Sequence, residues 1–127
     1  MHKDISVIVL ALNEEKNIAA AVNSVIQAVS DIMDDYEVIV MNDGSTDRTG
    51  AIVEEMAKEN PKILVCHNDR NRGYGYSYRK GLTLATKTYV TTFSGDNDMS
   101  GESLRKLVKE AGTVDVICSY YNESHNH

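Results

Sequence analysis

Two carboxylates, Asp96 and Asp98, stand with only Asn97 between them at the end of "YVTTFSGDNDMS", residues 89–100. The stretch opens with Tyr89, Val90, Thr91, Thr92 and Phe93, β-branched and aromatic residues that suit a buried, pleated ladder. Acids this close repel each other unless water or a cation screens them. Mg2+ or Mn2+ favours one or two protein carboxylates plus phosphate oxygens from a ligand. A bare D-x-D is a common pattern, however, and a solvated acidic turn capping the next helix is its usual meaning. A calcium loop does not fit. Asp96, Asp98, Ser100 and Gly101 match its first half, but Leu107 stands where a bidentate Glu is needed, and a strand precedes the loop rather than a helix.

Two further segments carry polar groups at turn spacing. In "NDGSTDRT" (Asn42–Thr49), Asp43 sits at a strand tip, Gly44 permits a tight turn, and Ser45, Thr46 and Asp47 are helix N-cap candidates. Any strand-to-helix turn can be written this way; functionally, Asp43 could accept a hydrogen bond from a nucleobase N–H. "NRGYGYSYRKG" (Asn71–Gly81) has glycines, but Tyr78 occupies the third position of a G-x-G-x-x-G fingerprint, and the Walker pattern is missing. Arg70, Arg72, Arg79 and Lys80 add local positive charge there. As ordinary residues they would be solvated at a helix start; functionally, Arg72 is the preferred contact for a base or diphosphate.

Elements that position these residues follow from hydrophobic spacing. Strands are expected at Ile5–Ala11, Tyr36–Met41, Lys62–His67, Tyr89–Phe93 and Val114–Ser119. Ile18, Val22, Val25, Ile26 and Val29 mark one face of a first helix, and Ile52, Val53, Met56 and Ala57 a second. A third runs from about Tyr74 to Thr86, weakened by Gly75 and Gly81. Leu104, Leu107, Val108 and Ala111 mark a fourth, capped by Ser100 or Ser103. Nearly all-apolar strands alternating with helices imply right-handed βαβ units around a mostly parallel sheet. Ligands of such sheets bind beyond the carboxyl ends of the strands. There lie "LNEEKN", "NDGSTD", "NDRNRGYG" and "SGDND", all dense in Asn, Asp and Gly.

The chain has 127 residues, enough for one domain with a core and too few for two. Its net charge of −6 argues against nucleic acid as a general partner, and a phosphate-bearing ligand would need a metal or local basic groups. Cys66 and Cys118 each sit in an apolar run, as buried free thiols of a reducing compartment would. "ISVIVLAL" is too short to cross a bilayer and lacks a cleavage pattern, so the expected location is cytoplasmic, with membrane association left to a longer parent protein.

Read together, "ISVIVLALNEEKNI", "EVIVMNDGSTDRT", "NRGYGYSYRKGL" and "YVTTFSGDNDMS" resemble the nucleotide-sugar half of family 2 glycosyltransferases of the GT-A fold. Each motif is weak, but their order and spacing over nearly the whole chain are specific. The resemblance implies a three-layer α/β/α, Rossmann-like fold cut after about its fifth strand, with residues 1–127 forming one nucleotide-diphospho-sugar-binding domain. It implies that Leu12, Asn13, Glu14 and Asp43 hold the base, with Asp43 accepting an imide N–H. It also implies that Asp96 and Asp98 bind Mg2+ or Mn2+ bridging the diphosphate of a UDP- or GDP-sugar, UDP being preferred. Many members carry proline where Ala11 stands and tyrosine where Leu12 stands, which leaves no aromatic ring at 12 to stack on a base.

The acceptor is open between a polyprenyl phosphate and a saccharide. Inverting members take their general base from an acceptor-binding half after the fifth strand. None of Glu123, His125 or His127 in the tail is assigned that role, so the catalytic base stays unidentified. The chain therefore reads as the donor-binding portion of a transferase, or alternatively as a nucleotide- and metal-binding fragment without turnover. A sheet stopping at strand five would bare apolar surface, so a homo-oligomer is expected. A phospho-receiver domain would want clustered acids after strand one, where only Glu14 of "LNE" is available.

Overall fold

The computed structural model describes residues 3–96 and 101–109. Four strands and four helices alternate: β1 (Asp4–Ala11), α1 (Ile18–Ser30), β2 (Asp35–Asn42), α2 (Thr49–Glu59), β3 (Ile63–His67), α3 (Tyr74–Leu84), β4 (Tyr89–Ser94) and α4 (Gly101–Lys109). All three strand pairings are parallel, in the order β3-β2-β1-β4. Each expected strand among the described residues is present to within one residue at either end. The expected strand Val114–Ser119, the Ser100 cap, Ala111, Cys118 and the tail lie outside the described residues.

Alternation along the strands divides the core. Val7, Val9, Val38, Val40, Ile63 and Phe93 face α1, α2 and α4, whose contributions include Ile18, Val22, Val25, Val53, Leu104 and Val108. Ile8, Ile39 and Met41 form a smaller cluster on the opposite face, under α3. The result is three layers, α/β/α. Gly81 lets α3 lie directly on the sheet: a Cβ there would come within 2.8 Å of Ile8 Cγ2. The helix ends at Leu84, short of Thr86, because Ala85 is extended and the Thr86 backbone N–H donates instead to Glu37 Oε2 at 2.7 Å.

Glu37 is a buried carboxylate inside an otherwise apolar strand. Its Oε2 also accepts from Ser6 Oγ at 2.6 Å and from Thr86 Oγ1 at 3.0 Å, so the charge is held by donors rather than left bare. Nearby, Asp35 pairs with Lys62 and, at 2.7 Å, with Lys87. These ties anchor the chain at the amino ends of the strands.

The connection order matters for function. The chain steps from β1 to β2 to β3 in one direction, then returns over the sheet to place β4 on the other side of β1. The strand order therefore reverses between β1 and β4, and at such a switch point the loops beyond the strand carboxyl ends part to leave a crevice.

Candidate functional site

Loops after all four strands meet at this edge, and backbone hydrogen bonds extend the sheet's register into them. Ala11 O accepts from Asp43 N at 2.9 Å, Leu10 O from Gly95 N at 2.8 Å, and Asn42 O from Asn68 N at 2.9 Å. Gly44 has φ +74°, and a Cβ on it would lie 2.3 Å from the carbonyl carbon of Arg70. Only glycine lets the β3–α3 loop pass this close to the turn after β2.

Asp43 is the centre of that packing. It is buried at 7% exposure, and its Oδ1 accepts from Arg72 N at 2.7 Å and Asn68 Nδ2 at 2.9 Å. Its Oδ2 accepts from Gly73 N at 3.0 Å. One carboxylate thus organises the start of α3 through main-chain donors. Asn68 Nδ2 donates in addition to Ser77 Oγ at 2.9 Å.

The loop after β1 is lashed to the turn after β2. Asn13 adopts φ +53°, a left-handed conformation that Asn tolerates better than most residues. Its Oδ1 accepts from Thr46 N at 2.8 Å, and its own N–H donates to Ser45 Oγ at 2.9 Å. Glu14 N donates to Thr49 Oγ1 at 2.8 Å, and Glu14 O accepts from the backbone of Asn17 and Ile18 to start α1. Ser45 and Thr46, expected as helix caps, serve this inter-loop seam instead. The N-cap position of α2 falls on Arg48 rather than on any of the three candidates, and Asp47 Oδ1 accepts from Thr49 N at 2.9 Å just ahead of the helix. Burial raises the Asp47 pKa, but the donors of Thr49 and Glu15 outweigh it and hold the carboxyl below its ordinary value.

A cleft of about 180 Å³ opens between these loops, lined by Leu10, Ala11, Leu12, Asp43, Tyr74 and Ser77 among others. Leu12 and Tyr74 are 39% and 47% exposed at its rim. Leu12 and Asp43 are thus together at one cleft, while Asn13 and Glu14 support it from behind. Tyr74 places an aromatic ring at the rim of this cleft. Sequence reading passed over it, although three tyrosines alternating through "YGYSY" mark one helix start.

Arg72 contributes its backbone N–H to Asp43, while its guanidinium turns to Asp69 at 3.0 Å and lies 5.4 Å from the Tyr76 ring centroid. That pairing holds the Asp69 carboxyl below its ordinary value. Asp96 follows β4 at the switch point, where its Oδ1 accepts from Ser94 Oγ at 2.7 Å. Asp98 lies outside the described residues. Among the described residues no cluster of three or more His, Cys, Asp or Glu side chains could hold a metal by itself. The hard carboxylate oxygens of Asp96, beside a cleft at the strand ends, suit Mg2+ or Mn2+ only if phosphate oxygens complete the shell.

Two polar constellations escaped the sequence reading. Asn68 was one of two Asn in "NDRNRGYG", yet it links Asp43 to Ser77. Farther along the same edge, Asn42 Nδ2 donates to His67 Nδ1 at 2.9 Å, leaving Nε2 to donate to Glu54 Oε1 at 2.8 Å. This chain tethers β3 to α2.

Comparison with known proteins agrees with the architecture. A family model described as "Glycosyl transferase family 2" matches residues 6–126. An uncharacterized glycosyltransferase of Bacillus subtilis, EpsJ, is 34% identical over 94% of this chain and 35% of its own length. A cholesterol galactosyltransferase of Borreliella burgdorferi is 30% identical over 95% of this chain and 34% of its own. Among solved structures, a mannosyltransferase of Pyrobaculum calidifontis in complex with GDP-Man and Mn2+ superimposes with a TM-score of 0.70 at 26% identity, over 87% of this chain and 33% of that one. S. aureus TarS in complex with UDP-GlcNAc gives 0.68 at 28% identity, over 88% and 32%. The chain spans about a third of the length of the curated relatives it matches. With strand order, loop clustering and the family model in agreement, the chain belongs to family 2 of the glycosyltransferases and has their GT-A, Rossmann-like α/β fold.

Proposed function

We propose that this domain binds a nucleotide-diphospho-sugar, a UDP- or GDP-sugar, together with a divalent cation, for transfer of the sugar to an acceptor. The observation that carries the reading is the convergence of Leu12, Asp43 and Tyr74 on one cleft at the sheet's switch point, with Asp96 following the neighbouring strand. In this reading Asp43 accepts the imide N–H of the base, with Leu12 and Tyr74 against its faces. Asn13 and Glu14 fix the loop that carries Leu12. Arg72 contributes through its backbone and remains a candidate for contact with the diphosphate, should its guanidinium leave Asp69.

Asp96 and Asp98 would hold Mg2+ or Mn2+ against the diphosphate. When bound, such a cation offsets the charge that builds on the departing nucleoside diphosphate. The same offset lets a protein of net charge −6 accept an acidic ligand. The two relatives' complexes, one with GDP-Man and Mn2+ and one with UDP-GlcNAc, support a nucleotide-sugar donor. A polyprenyl phosphate or a saccharide acceptor, self-association, and a cytoplasmic location belong to the same proposal.

A second reading is binding of nucleotide and metal without turnover. Sugar transfer and donor hydrolysis, measured beside nucleotide binding, separate the two. Metal-dependent nucleotide binding with neither reaction selects the second reading, and absence of nucleotide binding rejects both.

A further inference from the structure

Charge is divided unevenly along this chain. Residues 70–95 hold five basic side chains and no acidic one, while the rest of the sequence holds eight basic and nineteen acidic. In a protein of net charge −6 that stretch is an island of positive charge, and it contains the whole of α3.

α3 sorts its side chains into four rows at the spacing i, i+4, i+8. Ser77 and Gly81 form the row buried on the sheet. Gly75, Arg79 and Thr83 form the row opposite. Tyr74, Tyr78 and Leu82 run along one flank, and Tyr76, Lys80 and Leu84 along the other. A surface helix ordinarily shows solvent a polar back. Here Tyr74, Leu82 and Leu84 are exposed, three of the five large apolar side chains open to solvent among the described residues. Two of the five cations are paired, Arg72 with Asp69 and Lys87 with Asp35 at the amino ends of the strands. Arg70, Arg79 and Lys80 have no carboxylate partner among the described residues, and Lys80 lies 5.8 Å from the Tyr76 ring centroid.

Among the described helices α3 alone packs on its side of the sheet, with α1, α2 and α4 on the other. It stands as a ridge of cations edged by tyrosine and leucine. Such a composition matches a lipid surface, where tyrosine settles at headgroup depth, leucine below it, and cations meet anionic headgroups. We propose that α3 is a membrane-docking face that seats this domain on an anionic lipid surface. Tyr74, Leu82 and Leu84 enter the headgroup layer, and Arg70, Arg79 and Lys80 meet its phosphates. With eleven residues, α3 lies along such a surface and does not cross it. Tyr74 also lines the cleft, so a docked domain holds its cleft beside the lipid. This docking stands apart from the nucleotide reading and is measured without nucleotide or metal.

The test is flotation of the 127-residue chain with vesicles of equal parts phosphatidylcholine and phosphatidylglycerol, beside vesicles of phosphatidylcholine alone. The mixed vesicles should carry the protein. Neutral ones should bind it at least about tenfold more weakly, since each cation near an anionic surface contributes about a fivefold gain. Arg79→Gln with Lys80→Gln should weaken binding to the mixed vesicles by about twentyfold. Leu82→Ser with Leu84→Ser should weaken it by at least about tenfold with an unchanged thermal midpoint, both side chains being exposed. Lys58→Gln with Lys106→Gln removes the same charge from α2 and α4 and should leave binding as it was. Absence of binding to the mixed vesicles, equal binding to both kinds, or an equal loss in the Lys58 and Lys106 variant overturns the docking face. So does a result in which vesicles bind nothing while Leu82→Ser with Leu84→Ser abolishes self-association in sedimentation velocity; the face then joins two copies of this chain.

Discussion

Asp43 ties the strand ends together, since its carboxylate accepts from two backbone N–H groups and one side-chain amide. Replacing it by Asn turns one of those acceptors into a donor facing donors. Asp43→Asn should lower stability by about 1–3 kcal/mol, the cost of leaving such groups unsatisfied, and should abolish detectable nucleotide binding. Chemical denaturation together with titration checks both. Gly44 makes a separate demand. With φ +74° and the Arg70 backbone 2.3 Å from where a Cβ would stand, Gly44→Ala should destabilise by more than about 1 kcal/mol, beyond the ordinary range for surface changes. An unchanged denaturation midpoint would show that the two loops do not pass so closely. At this scale, the tight turn at Asp43 and Gly44 was legible in the sequence, because glycine after a strand-end Asp permits a positive φ. Asn68 and Ser77 were not. A polar loop such as "NDRNRGYG" reads as solvated, and only the fold shows which of its amides turns inward.

Elements are held at the opposite end of the sheet by charge. The ammonium groups of Lys62 and Lys87 hold the half-buried carboxyl of Asp35 well below its ordinary 3.8, and Asp35 in turn raises Lys87. A depressed carboxyl pKa stabilises the fold above the unfolded value and loses that contribution as pH falls through the folded one. Asp35 should therefore contribute fully near pH 7, and progressively less below 3.8. Thermal melts of wild type and Asp35→Asn should differ at pH 7 and approach each other as the pH is lowered well below 3. A constant gap would contradict the ion pairs. The strand and helix positions were legible because their apolar periods are uninterrupted. The early end of α3 was not, since it depends on Glu37, a lone acid in "YEVIVM" whose partners lie 31 and 49 residues away.

For the molecule as a whole, β3 and β4 are the sheet's outer strands among the described residues, and Leu64 on β3 is 44% exposed. An outer strand with an apolar face open to solvent invites pairing with another copy. Sedimentation velocity should show dimers or larger species at high protein concentration; a single monomeric species throughout would remove that expectation. The GT-A architecture was readable from four ordered motifs, each weak alone. The partnership of Asp96 with Asp98 was readable only as spacing, because one loop can carry two acids for either solvation or metal. Metal dependence is accordingly the central claim. Its most direct test is calorimetric titration of UDP and GDP with and without Mn2+, on wild type and on Asp98→Ala. Nucleotide binding by the wild type should strengthen markedly with Mn2+, and Asp98→Ala should lose that gain. Wild-type binding that is the same with and without the metal would contradict the account.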